Sequence, residues 1–520
     1  MSTATESAPT TPEFRAGKWS VTLTVMLGMM STILSSTMIN VAIPDIMGTF
    51  GIGQDRAHWM STGFLAAMTC TMLLNAWFVR NLGVRNTFVM AMVVFSGASI
   101  VGQTAADFNL VVMSRIVQGA CAGLLQPLAM TVIYPAFPPE ERGKAMGIFS
   151  MGVVMGPAIG PTIGGFIIDN AEWRYVFTFA LPFTVVATML GARYLPGRDD
   201  TLERVKFNWL NFILICSAVA TLLTGISNGQ REGWLSPFVV GLLLFAFASS
   251  LAFLLLETYS KSPLVGVRVF SDRTFAISAL VGFMFGAGMF GSIYLMPIFV
   301  QTVQGFTATK AGLLLLIAGL LVAVVFPIAG RMAGKIPSGY PMTVGLLMFG
   351  FSSLILTDST VNSSFAFLAI WATVGRVGLG LITPSLNTGA MVNLRPEILP
   401  YGAGALNFVR MFGGALGVNV IAVFLEIRTQ SHGATFKAYQ TSDNQVTQDL
   451  LRHLHELLAR DGVVAIDATR VTMRFLAQTV AAKANMLAFQ DAYMVLAWGF
   501  AAAACVAALL MRRLPPNDRP

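Results

Sequence analysis

The chain alternates long apolar runs with short polar ones. Runs of roughly 20 apolar residues, the length that crosses a bilayer as a helix, fall near 22–44, 59–79, 87–105, 109–131, 145–168, 175–195, 208–228, 236–256, 275–303, 311–333, 341–357, 365–390, 403–426 and 487–511. The pattern predicts fourteen transmembrane helices in an all-α membrane protein. The first run is longer than a signal-peptide core of about 7–15 residues, so it reads as a retained helix behind a polar tail. One connection breaks the rhythm. Residues 427–486 are long, polar and mixed in charge, and within them "DLLRHLHELLARDGV" sets leucines at 450, 451, 454, 457 and 458, the stripe of an amphipathic helix.

Composition agrees with the pattern: 55% of residues are hydrophobic and 11% charged, against about 25% charged in soluble domains. Charge then orients the helices. With the N-terminus inside, nineteen cations fall in the inner loops and tails. Only Arg56, Arg174, Arg231 and Lys310 fall in the short outer loops. Cytoplasmic segments carry such an excess of Lys and Arg, so both termini are expected in the cytoplasm. The net charge of +8 is then a product of topology, and no nucleic-acid partner is expected.

Enzyme chemistry is not expected, nor a cofactor. A phosphate-cradling loop needs Gly-Lys-Ser/Thr, and the three Gly-Lys pairs are followed by Trp19, Ala145 and Ile336. The four cysteines, Cys70, Cys121, Cys216 and Cys505, all lie in apolar runs and read as small buried hydrophobes. His453 and His455 are two apart, the wrong spacing for one helix face, and no metal site is expected.

Three cations stand inside apolar spans: Arg115, Arg376 and Arg410. A charge at that depth costs about 2.5–3.5 kcal/mol on insertion scales and marks function by default. Arg115 and Arg376 each stand four residues before a glycine, Gly119 and Gly380, a weak internal echo of the kind found in duplicated transporter halves. No Asp or Glu lies at mid-membrane in any span; Asp45, Glu426 and Asp491 come nearest, all toward the outer face. A fixed cation without a resident carboxylate suits an acidic substrate. Arg115 is the expected anchor, and the proton is expected to load at Asp45 or Asp491 or to travel with the substrate.

The stretch "GVVMGPAIGPTIGG" sets Gly152, Gly156, Gly160 and Gly164 at intervals of four, with Gly165 beside them and Pro157 and Pro161 between. Small residues on one face let membrane helices approach closely. Together with Gly143 the spacing resembles the antiporter motif on the fifth helix of drug:proton antiporters in the major facilitator superfamily. "NVAIP" (Asn40–Pro44) looks like the signature of the fourteen-helix, EmrB/QacA-type family. "RIVQG" (Arg115, Gln118 and Gly119) resembles the superfamily's fourth-helix motif. "YLMPIFVQ", "NFVRMFGGALG" and "AFQDAY" look like later signatures of the same family.

That resemblance implies a bacterial inner-membrane exporter of hydrophobic or amphiphilic compounds, driven by proton antiport and alternating access. It implies a cytoplasmic tail over 1–21, a six-helix half over 22–195 and two extra helices over 208–256. A second half over 275–511 follows, with a large periplasmic loop at 427–486, and then a cytoplasmic tail over 512–520. Lipid, protons and a small-molecule substrate are the implied partners; a periplasmic adaptor and an outer-membrane channel are further ones. It also implies that the glycine face of helix five slides against the opposite half. Two positions depart from the family pattern. Ser35 stands where an acid precedes "NVAIP", and the gate loop "AWFVRNLGVRN" keeps Gly83 and Arg85 but has Arg80 where an acid is expected. A non-transporting membrane receptor or scaffold, or an uptake transporter of the same fold, remains an alternative.

Overall fold

In the computed structural model, residues 17–137, 156, 159–198, 207–260, 264, 267–332, 336–391, 393–394, 399–440, 443–460 and 465–511 are described. In chain order the main helices are α1 (Lys18–Phe50), α2 (Trp59–Met72), α3 (Asn75–Thr104), α4 (Phe108–Ala136), α5 (159–170), α6 (Leu181–Tyr194), α7 (Trp209–Glu232), α8 (Pro237–Tyr259), α9 (Arg273–Thr302), α10 (Ala308–Met332), α11 (Gly339–Leu356), α12 (Phe365–Met391), α13 (Leu399–Tyr439), α14 (Gln445–Arg460) and α15 (Ala465–Ala508). Helix starts follow from local chemistry. Asp107 accepts from the Leu110 N–H and Asp272 from the Phe275 N–H, each satisfying an amide that the first turn leaves unpaired.

Twelve helical stretches among the described residues are long and apolar enough to cross a membrane, one of them running from Tyr175 through α6. The other two expected spans fall differently. The second is split: α2 covers 14 residues and the chain continues helically from Asn75 to Gly83. The fifth is described only in part. At Gly83 the backbone turns with φ 83° and ψ 163°, so the chain reverses there inside what is otherwise continuous helix. A Cβ at this position would also stand 2.6 Å from the backbone N of Arg198. Glycine alone meets both demands.

The expected polar loop at 427–486 is mostly helix. α13 and α15 run on past the apolar spans, and α14 lies between them, with Thr447 donating to Gln440 at 2.6 Å. The leucine stripe behaves as amphipathic helix, although not every leucine is covered: Leu457 stays 56% exposed.

Buried apolar side chains divide the molecule by depth. At the end away from the termini, one cluster joins Met38 and Ile43 of α1 and Phe64 of α2 to Leu295 and Phe299 of α9, Leu314 of α10, Ile421 of α13 and Phe489 of α15. At the end bearing the termini, one cluster holds α1, α3, α4 and α6 around Phe88 and Phe95, and another holds α9, α11, α12 and α15 around Phe349 and Phe500. A further cluster at that same end sets Leu73, just past α2, with residues of α7, α8, α9 and α13. Among the described residues the early and late helices share their largest core at the distal end, which closes it, while near the termini each has a core of its own and the two meet only around Leu73.

Candidate functional site

Arg115 sits at the crossing of the first four helices and is 1% exposed. Its Nε donates to the Met60 carbonyl of α2 at 3.3 Å. Its Nη1 donates to the Ser35 carbonyl at 3.3 Å, to Ser35 Oγ at 3.4 Å and to Gln118 Oε1 at 2.7 Å. Gln118 in turn donates to Ser99 of α3 at 2.9 Å. The guanidinium lies 4.4 Å from the centre of the Phe64 ring, a cation–π contact. Nearby, Ser61 donates to Asn40 at 2.6 Å, tying α2 to α1. The sequence-predicted residues Ser35, Asn40, Arg115 and Gln118 are thus brought together. They form a closed brace, in which Nη2 of Arg115 is buried without a partner among the described residues.

The other two intramembrane arginines differ. Arg410 of α13 donates through Nη2 to Asn407 Oδ1 at 2.6 Å, while its buried Nε has no partner among the described residues. Arg376 of α12 is half-buried. The internal echo has a structural counterpart. Gly119, after Arg115, lets α4 approach the Phe64 backbone of α2, and Gly380, after Arg376, lets α12 approach Val325 of α10.

The glycine stretch has two working faces, which corrects the expectation that one face slides against the opposite half. Gly156, Gly160 and Gly164 pack on Ile33, Thr37 and Met38 of α1, inside the early helices. The crossing to the late helices uses Pro161 and Gly165. A Cβ at Gly165 would meet the Ala308 carbonyl, and one at Gly312 of α10 would meet the Pro161 carbonyl. Thr162 Oγ1 donates to the Gly312 carbonyl at 2.9 Å, and Asp169 accepts from the Thr309 N–H at 2.9 Å. Gly152 and Pro157 lie outside the described residues.

Gly83 and Arg85 of the gate loop hold the segment after α6. Arg85 N donates to the Pro196 carbonyl at 3.1 Å, and its Nε to the Leu195 carbonyl at 2.9 Å. Asp491 is engaged at the distal end, 2.6 Å from Arg428 Nε and 2.7 Å from His432 Nε2. Asp45 is exposed, with Asp169 as its nearest acidic neighbour, and its carboxylate has no hydrogen-bond partner among the described side chains.

One residue escaped the sequence reading. His58 is 0% exposed and sits in the distal seam. Its Nε2 lies 3.1 Å from Ser227 Oγ of α7 and 3.4 Å from Asn419 Nδ2 of α13. Trp59 also donates to Ser227, at 3.1 Å. A lone histidine beside a short turn carries no such signal; only the polar Asn419 in an apolar run hinted at a buried partner.

Comparison with known proteins fits this geometry. The description of the Major Facilitator Superfamily matches residues 25–418. The chain is 27% identical over 417 residues to the multidrug export protein EmrB of Escherichia coli, covering 80% of this chain and 81% of that one. It is 27% identical over 447 residues to the fatty acid resistance protein FarB of Neisseria gonorrhoeae, covering 85% and 87%. In fold it resembles a bacterial homologue of the human lysosomal transporter Spinster, solved inward-facing and unoccupied, with a TM-score of 0.62 and 16% identity over 96% of this chain and 99% of that one. The chain belongs to the Major Facilitator Superfamily of membrane transporters, and the relatives that it matches include multidrug export proteins.

Proposed function

We propose that the protein exports hydrophobic and amphiphilic compounds across a bacterial inner membrane by proton antiport, with a preference for amphiphilic weak acids. Both termini are then cytoplasmic, and the closed distal end is the periplasmic gate, so that substrate enters from the cytoplasm. The observation that carries the preference is an interior that holds arginines without carboxylates at the same depth. A relative named for fatty acid resistance supports it. Asp45 is the favoured loading site for the exchanged proton, because Asp491 is already engaged by Arg428.

The test is reconstitution in proteoliposomes with an imposed pH gradient, following decanoate and a cationic dye. The expected result is gradient-dependent decanoate export that Asp45→Asn abolishes and Asp491→Asn retains. Inward flux would make it an uptake transporter, and no flux a receptor or scaffold. Dye export equal to that of decanoate would remove the preference for acids. The exposed side of α14, with Val446 at 79% and Leu457 at 56% exposure, supports a periplasmic adaptor as partner, which would lead on to an outer-membrane channel.

A further inference from the structure

The three arginines buried at membrane depth divide by what satisfies them. Arg115 is sealed, with Nε and Nη1 engaged by Met60, Ser35 and Gln118, Nη2 buried and its face on Phe64. Arg410 shares its charge with Asn407. Arg376 has no hydrogen bond, ion pair or ring contact with any described residue, yet stands near the middle of a 27-residue helix.

Its direction follows from the helix. Ile370, 58% exposed, marks the lipid side of α12. Six residues on, at about 100° per residue, Arg376 points about 120° away from it. The intervening faces are occupied: Gly375 and Gly378 pack on Ser352 and Gly345 of α11, and Gly380 on Val325 of α10. Leu379 and Ile382 are buried. What remains is the interior side, where α12 also meets α9 and α13. Those two helices carry half-buried Phe283, Phe290 and Phe412.

We propose that Arg376 is the carboxylate anchor of the transport cavity. The proposal rests on the reading of the protein as an exporter of weak acids, and it moves the anchor from Arg115, the residue that the sequence favours, to the late helices. A planar guanidinium matches a carboxylate through two parallel N–H···O bonds. An incoming acid satisfies the one intramembrane arginine that has no partner among the described residues, while its chain lies on the phenyl surface of α9 and α13. Arg115 then braces the early helices and touches no substrate.

The experiment uses the full chain in nanodiscs and measures binding of decanoate and of decanol, its uncharged counterpart. The parent should bind decanoate more tightly than decanol. Arg376→Gln should weaken decanoate about tenfold to a hundredfold, the range expected for loss of a charge-assisted hydrogen bond, and leave decanol unchanged. Arg376→Lys, which keeps the charge and loses the fork, should fall between. Decanoate affinity unchanged in Arg376→Gln overturns the anchor while the acid reading stands. Equal affinity of the parent for decanoate and decanol overturns that reading and the anchor with it. Should Arg376→Gln not reach the membrane, Arg376→Lys decides: parental affinity overturns the anchor, and a loss of about tenfold supports it.

Discussion

Arg115 illustrates how one side chain is fixed by what surrounds it. Its donors reach acceptors on α1, α2 and α4, and Gln118 extends the chain to α3. Removing the guanidinium leaves buried acceptors without donors, at about 1–3 kcal/mol each. Arg115→Ala is therefore expected to lower stability by that order, read as an earlier thermal transition in detergent, and to cut transport through misassembly. Arg115→Lys should rescue little, because the three N–H groups of an ammonium share one nitrogen and cannot span the acceptors that Nε and Nη1 reach separately. Parental stability in Arg115→Ala would show that the brace is dispensable. Gly83 acts through its backbone. Gly83→Val is expected to cost at least about 1 kcal/mol from the positive φ alone, with further loss from the clash at Arg198; the thermal transition reports it.

At the scale of elements, α5 is a helix with two partners. Gly160 and Gly164 meet α1, as does Gly156 ahead of it, and Pro161 with Gly165 meets α10 across the seam. The two faces predict two phenotypes. Gly156→Leu separates α5 from α1 within the early helices and should lose both stability and flux. Gly165→Leu separates α5 from α10 and should leave each group of helices folded while flux falls at least about tenfold, since close backbone approach is what small residues provide. Vesicle flux with membrane abundance as the control distinguishes them. α14 gives a third case. Replacing its exposed side, Val446→Ser with Leu457→Asp, should spare flux in vesicles and reduce resistance in whole cells if an adaptor docks there. Unchanged resistance would remove the adaptor.

At the scale of the molecule, the large shared core at the distal end, against a junction near the termini that narrows to the cluster around Leu73, describes a transporter shut at one end. Hydrogen bonds reinforce that closure: Gln301 donates to the Val41 carbonyl at 3.3 Å, and Thr162 to the Gly312 carbonyl at 2.9 Å. Export requires this seam to part while the opposite end closes. The orientation is tested with single cysteines and an impermeant thiol reagent. Gln440→Cys should label from the outside and Arg204→Cys only after permeabilisation. Labelling of Arg204→Cys in intact cells would invert the molecule and with it the direction of transport.

The apolar runs alone determined that the chain is a helical membrane protein, because each backbone polar group in hydrocarbon must be satisfied within its own helix. That constraint is local, so most span positions and the connection that holds Gly83 were legible without a fold. The arginines were legible as well, since a charge in an apolar run stands out one residue at a time. Their roles were not. Whether Arg115 or Arg376 is open to a ligand depends on which helices supply Ser35, Met60 and Phe64, and no spacing along the chain records that. The same holds for the glycine stretch, whose period of four specified a close crossing but not that α1 would be the partner of that face and that Gly165, with Pro161, would face α10. His58 became part of the seam only when α7 and α13 brought Ser227 and Asn419 to it. Hydrophobicity acts on each segment separately and fixes what the segments are. Satisfaction of buried polar groups acts between segments, and only the packed bundle decides which group meets which.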